Sequence, residues 1–186
     1  MINWKRMLVS ASLMCLMMPG GVGSAESKVI ELGKLPQSAS EVPASFKNPY
    51  DVAAYSVAAF IRYTENVAEG EAMLNKLKGP EPLNPFGKQF LRDRLRGKEY
   101  VARSYIMGTS PENGYAMQAP YAIKVESNPY SFQEAHYARL LLTSSGADNP
   151  RWIVLREKAS TGEWFLWTYE GVLADIRPPK GASAWD

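Results

Sequence analysis

Hydrophobic and polar residues follow two different periods along this chain, and the change falls near residue 100. In "DVAAYSVAAFIRY" (Asp51–Tyr63) only Ser56 and Arg62 are plainly polar after Asp51, which predicts a helix buried on most sides. A second helix, about 68–78, places Met73, Leu74 and Leu77 on one stripe and stops at Gly79-Pro80. A third opens at Asn84-Pro85 and runs "FGKQFLRDRLR" to Gly97, with Phe90, Leu91 and Leu95 inward. From Tyr100 the period becomes two. "YVARSYI" (100–106), "YAIKVES" (121–127), "YARLLLT" (137–143), "RWIVLREK" (151–158) and "EWFLWTY" (163–169) all predict strands. Turn signals at 144–150 and 159–162 join the last three into an antiparallel meander. A helix that is apolar nearly all round must be wrapped by something. The expected fold is therefore α+β: three N-terminal helices on a curved, mainly antiparallel sheet of about five strands, cone-like in outline.

The last strand raises a question. "EWFLWTY" is apolar on both faces, whereas a half-buried strand alternates. Strict alternation sends Trp164, Leu166 and Thr168 one way and Phe165, Trp167 and Tyr169 the other. The second set would meet the third helix, a loop, a partner or a ligand. Asn-Pro occurs at Asn48, Asn84, Asn128 and Asn149. Asn caps a helix or opens a turn and Pro presets the next φ, so these dipeptides punctuate the domain.

The N-terminus changes the picture of where this domain works. Lys5 and Arg6 precede an apolar run from Met7 to Met18, a break at Pro19-Gly20-Gly21 and small residues at Gly23-Ser24-Ala25. That is the layout of a signal peptide cleaved after Ala25, and the run is shorter than the roughly 20 residues a spanning helix needs. Cys15 lies inside the run behind Met14, a poor setting for lipidation, and would leave with the leader. The expected organisation is a signal peptide at 1–25, a flexible leader at 26–45, one domain at 46–180 and a tail at 181–186. The mature chain would be extracytoplasmic, free of cysteine and without a membrane span, secreted or, if the signal is retained, held at the membrane. The whole chain carries 21 basic and 19 acidic residues, and Lys5 and Arg6 supply that excess. A neutral domain argues against general nucleic-acid binding.

Little in the chain has the spacing of a known catalytic motif. His136, the only histidine, could act as a general base if Glu134 or Asp175 oriented it, although a lone histidine before a strand is more often a surface residue. One histidine and no mature cysteine leave no transition-metal set, and no calcium loop, phosphate loop or Gly-x-Ser-x-Gly elbow is present. No cofactor is implied. Lys88, Arg92 and Arg96 recur every four residues, and Arg94, Lys98 and Arg103 extend the stripe. It reads as an anion contact or, more simply, as a solvated helix face. The loop 108–121 is long enough for a lid, unless Tyr115 and Tyr121 pack it down. Asp175-Ile176-Arg177 reads as an ion-pair fastening for the chain end.

Over about 130 residues the chain resembles a bacterial family that carries only an unknown-function label. The resemblance rests on "DVAAYSVAAFIRYTE", "LKGPEPLNPFGKQFLRDRL", "YVARSY", "SPENGYAMQAPY", "NPYSFQEAHYARLLLTSSGADNPR" and "STGEWFLW" followed by "DIRPP". It implies one compact domain and no particular reaction, cofactor or catalytic residue. Members mostly lack an export leader, so the compartment rests on the leader alone. In element order the chain also looks like the cone fold of the nuclear-transport-factor-2 type, which licenses no activity.

These readings favour an exported, non-catalytic module that binds a small ligand or an anionic surface partner at the mouth of its sheet. Trp167, Tyr169, Tyr115 and Tyr105 would form the site, with Arg92 and Arg103 as anion contacts. An enzyme using His136, Glu134 and Asp175 is the alternative, and a homodimer through the second apolar face of the sheet is another.

Overall fold

The Asn-Pro dipeptides open elements as their chemistry requires. In the computed structural model, which describes residues 25–182, Asn48 accepts from the Tyr50 amide and starts helix α1 (Pro49–Glu65). Asn84 accepts from the Gly87 amide and starts α3 (Pro85–Leu95). Asn128 accepts from the Tyr130 amide and forms a turn. Asn66 ends α1 and caps α2 (Val67–Lys78) by accepting from the Glu69 amide.

Strand β1 (Ser27–Leu32) precedes the helices, and α4 (Glu99–Arg103) follows them. Then come β2 (Tyr121–Glu126), β3 (Tyr137–Leu142), β4 (Arg151–Lys158) and β5 (Glu163–Thr168). The five strands form one antiparallel sheet in sequential order. Pairing is continuous from β1 to β2 and from β3 to β5, but only two residue pairs join β2 to β3, so the sheet parts along that seam.

Helix α1 lies against the inner face. Val52, Ala53, Ala54, Val57, Ala59 and Phe60 are fully buried, and so are Ile123, Val125, Leu140, Leu142, Ile153 and Leu155 from the strands. All belong to one hydrophobic core. Full burial of each Val, Leu, Ile or Phe contributes about 1.5–3 kcal/mol, so this face supplies most of the driving force for folding.

Two expectations are corrected. Residues 26–45 are not a flexible leader: β1 pairs with β2 along its whole length, and Leu32, Val42 and Phe46 enter the core. Residues 100–106 are not a strand. They form the turn of α4, after which Ile106 makes a single bridge to Ile123. Buried Val101, Ala102, Tyr105 and Ile106 fit a helical period, and Ser104 accepts a buried hydrogen bond from Ser144 that ties α4 to the β3–β4 loop. The sheet keeps five strands because β1 takes the place meant for 100–106. The expected signal peptide and Cys15 lie outside the described residues, as do residues 183–186. Among the described residues no helix is long and apolar enough to cross a membrane.

The α1–α2 packing tolerates no side chain at Gly70, where a Cβ would lie 2.3 Å from the Tyr63 Cα. Gly70→Ala should cost about 2–4 kcal/mol in urea unfolding, whereas Gly33→Ala, which meets open space, should stay within about 0.5 kcal/mol.

Candidate functional site

In β5, Leu166 pairs with Leu155 and Thr168 with Val154, so Trp167 is an extra residue with no partner on β4. Such a bulge resets the alternation behind it. Leu166 points inward and Phe165 and Trp167 outward, as alternation requires. Behind the bulge, Thr168 is exposed and Tyr169 turns into the core, opposite to the expectation. The apolar run is thus divided between core and surface.

The outer face of β3–β5 is built in rows. Tyr137, Arg156 and Phe165 stand directly opposite one another across three strands. The Arg156 guanidinium lies 4.5 Å from the centre of the Trp167 ring and 5.5 Å from that of Tyr137. Those two rings meet edge to face at 6.1 Å. One row along, Arg139 sits 5.7 Å from the Trp152 ring, which is 41% exposed. Cation–π contacts of this exposure are worth about 0.5–1 kcal/mol each, enough to orient rings that solvent would otherwise leave free.

The α2–α3 linker forms a wall above this face. Gly79 has φ +57°, and a Cβ there would lie 2.3 Å from the Phe165 ring, so only glycine lets the chain cross so closely. Lys78 donates to the Trp167 carbonyl at 3.3 Å, and Glu81 meets Arg156 at 3.4 Å. Burial pushes the Lys78 ammonium pKa down, partly opposed by Glu170 and Glu81. Between wall and sheet lies a hollow of about 400 Å³, floored by Phe165, Trp167 and Tyr137.

The residues predicted for a single site do not converge. Trp167 is at the hollow, but Tyr169 is 3% exposed and packs on Phe60 and Phe90. Tyr105 is buried and donates to the Val172 carbonyl. Tyr115 is buried and donates to the Arg177 carbonyl at 2.7 Å, which holds the 108–121 loop down rather than leaving a lid. Burial raises the phenol pKa of Tyr105, Tyr115 and Tyr169, so all three stay neutral hydrogen-bonding groups. Arg92 is exposed on α3, does not line the hollow and donates to Gln89, and Arg103 is half-buried in α4. The stripe is a solvated face in which Lys88 pairs with Glu71 at 2.6 Å.

His136 lies at the rim of the hollow, but its Nδ1 meets Glu157 at 2.9 Å rather than Glu134 or Asp175. Glu134 is exposed on the neighbouring turn. Asp175 is exposed near the opposite end of β4, where its carbonyl accepts from Arg151, about 20 Å along the strand from Glu157. The acid–base trio is not assembled. Arg177 pairs with Asp148, not with Asp175, when it fastens the chain end. Among the described residues no group of three or more His, Cys, Asp or Glu is placed to hold a metal.

Sequence reasoning missed Tyr137, Arg156, Arg139 and Trp152, and set Phe165 beside Trp167 without naming it for the site. The signal was present: aromatic and arginine residues on the polar phase of β3 and β4, where alternation calls for solvated side chains.

Tyr105→Phe should cost about 1–3 kcal/mol at neutral pH by orphaning the buried Val172 carbonyl. A phenol pKa raised by folding gives stability that is present below the unfolded value of about 10 and lost as pH rises through it. The wild-type unfolding free energy should therefore fall above about pH 10, and more gently in Tyr105→Phe, as urea titrations across that range would record.

No curated protein and no solved structure matches the chain. Residues 29–180 match the family model described as "Domain of unknown function (DUF6935)", a span that takes in β1 from Val29 onward, α1 to α4 and β2 to β5. The chain belongs to that family.

Proposed function

We propose that this chain is a non-catalytic binding module whose ligand lies on the outer face of the sheet, in the hollow floored by Phe165, Trp167 and Tyr137. The carrying observation is the Arg156 guanidinium lying against both the Trp167 and Tyr137 rings, which themselves meet edge to face, beside the Lys78–Glu81 wall. Apolar surface held rigid and open costs solvation free energy unless something covers it, and convergent polar groups at its rim give orientation. The signal-peptide layout expected at residues 1–25 supports an encounter outside the cytoplasm in this reading.

The hollow is open, its His136–Glu157 pair lies solvent-facing at the rim, and among the described residues no Ser, Thr or Cys lines it, so the reading is binding and not turnover. Trp167 stays from the site expected from sequence, and Phe165, Tyr137 and Arg156 take the place of its tyrosines and arginines.

A fragment screen by ¹⁵N NMR on the purified protein tests this. Hits should shift the Trp167 indole signal and the amides of Gly79–Glu81 and Arg156, and should vanish in Trp167→Ala. The reading fails if hits gather elsewhere, or if Trp167→Ala changes only stability and leaves every hit in place.

A further inference from the structure

The hollow beside Trp167 is not isolated. It shares Lys78, Glu81 and Trp167 with a second hollow of about 240 Å³ that ends at Phe86, which is 76% exposed at the start of α3. On its other side it shares Tyr137 with a third of about 400 Å³, formed by Trp152, Arg139 and the Asn128–Glu134 turn. The three meet end to end across the strands, so the surface is a track with a ring at each junction. Tyr130, 69% exposed, lines the third hollow.

Charge restricts the occupant. The basic side chains along the track are Lys78, Arg139, Arg156 and Lys158. The acidic ones are Glu81, Glu134, Glu157 and Glu170, equal in number. A groove for nucleic acid or polyphosphate carries a basic excess that follows the backbone. This one carries none. A protein interface takes Arg and aromatic rings at its centre but is depleted there of Lys and Glu. Here Lys78 and Glu81 line the central hollow with Arg156, Glu81 at 3.4 Å from it, and the His136–Glu157 pair stands at the rim. Rings with no net charge between them, bordered by planar polar groups (Asn128, Gln133, Arg139, Glu134), suit a neutral polyhydroxylated chain. The C–H face of a pyranose lies against the negative face of an aromatic ring, and planar side chains take its hydroxyls pairwise.

We infer that the track binds an extended neutral glycan, with Trp167 and Trp152 as stacking platforms in adjoining hollows. This rests on the proposed binding site at Trp167 and adds the ligand class and its length.

The test uses the purified protein with hexasaccharides of N-acetylglucosamine, glucose, xylose and mannose, the matching disaccharides, and a thymidine oligonucleotide and polyphosphate as charged counterparts. Tryptophan fluorescence and titration calorimetry are the readouts. At least one neutral hexasaccharide should bind about tenfold or more tightly than its disaccharide, and Trp152→Ala and Trp167→Ala should each weaken it about tenfold, the loss of one stacked unit. Far-UV circular dichroism checks the fold, and Trp167→Tyr, which keeps a ring, should retain most of the binding. If no hexasaccharide binds, or a charged polymer binds more tightly than all of them, the glycan assignment is overturned. Length-independent binding that ignores Trp152→Ala overturns the track but leaves the Trp167 site standing. Binding that ignores Trp167→Ala overturns both.

Discussion

Between Leu155 and Val154 strand β4 has no spare residue, while β5 inserts Trp167 between their partners. How the aromatic run of β5 divides between outer face and core depends on that mismatch. It holds Trp167 beside Arg156 and turns Tyr169 into the core against Phe60. An unbulged β5 would carry a third aromatic ring outward and leave that part of the core short of one. The bulge therefore serves the core and the surface together, and a substitution in this strand acts on both.

The second constraint is close approach. Gly70 lets α2 settle on Tyr63 of α1, and Gly79 lets the chain leaving α2 cross the Phe165 ring. The two glycines set the height of the wall above the sheet. Without the first, α2 stands off from α1. Without the second, Lys78 and Glu81 lose their places over Trp167. Packing in the helical layer is thus transmitted directly into the geometry of the hollow.

Elements driven by local pattern were legible in the sequence. Helix α1 is buried nearly all round because its residues are apolar nearly all round, and β3 and β4 follow their alternation closely. What escaped depends on partners distant in sequence. The β1 segment, "SKVIEL", is a strand because β2 is available to pair with it more than 90 residues later, and its Ser- and Pro-rich flanks conceal this. Val101, Ala102, Tyr105 and Ile106 suit a helical turn as well as a short strand, and contact with Ser144 decides. A bulge is a property of two strands at once, so alternation along one of them assigned Tyr169 to the wrong face. Tyr105 and Tyr115 looked like ligand contacts by type, but remote carbonyls at Val172 and Arg177 take their hydroxyls inside the fold.

The central claim, that one extra residue divides the aromatic run into a buried half and a displayed half, is open to a measurement that needs no ligand. Hydroxyl-radical footprinting read by mass spectrometry reports side-chain exposure ring by ring. The account predicts ready oxidation of Trp152, Trp167 and Tyr137 and protection of Tyr169, Tyr105 and Tyr115. Ready oxidation of Tyr169 alongside Trp167 would contradict it, because β5 would then run without the bulge and carry all three rings outward.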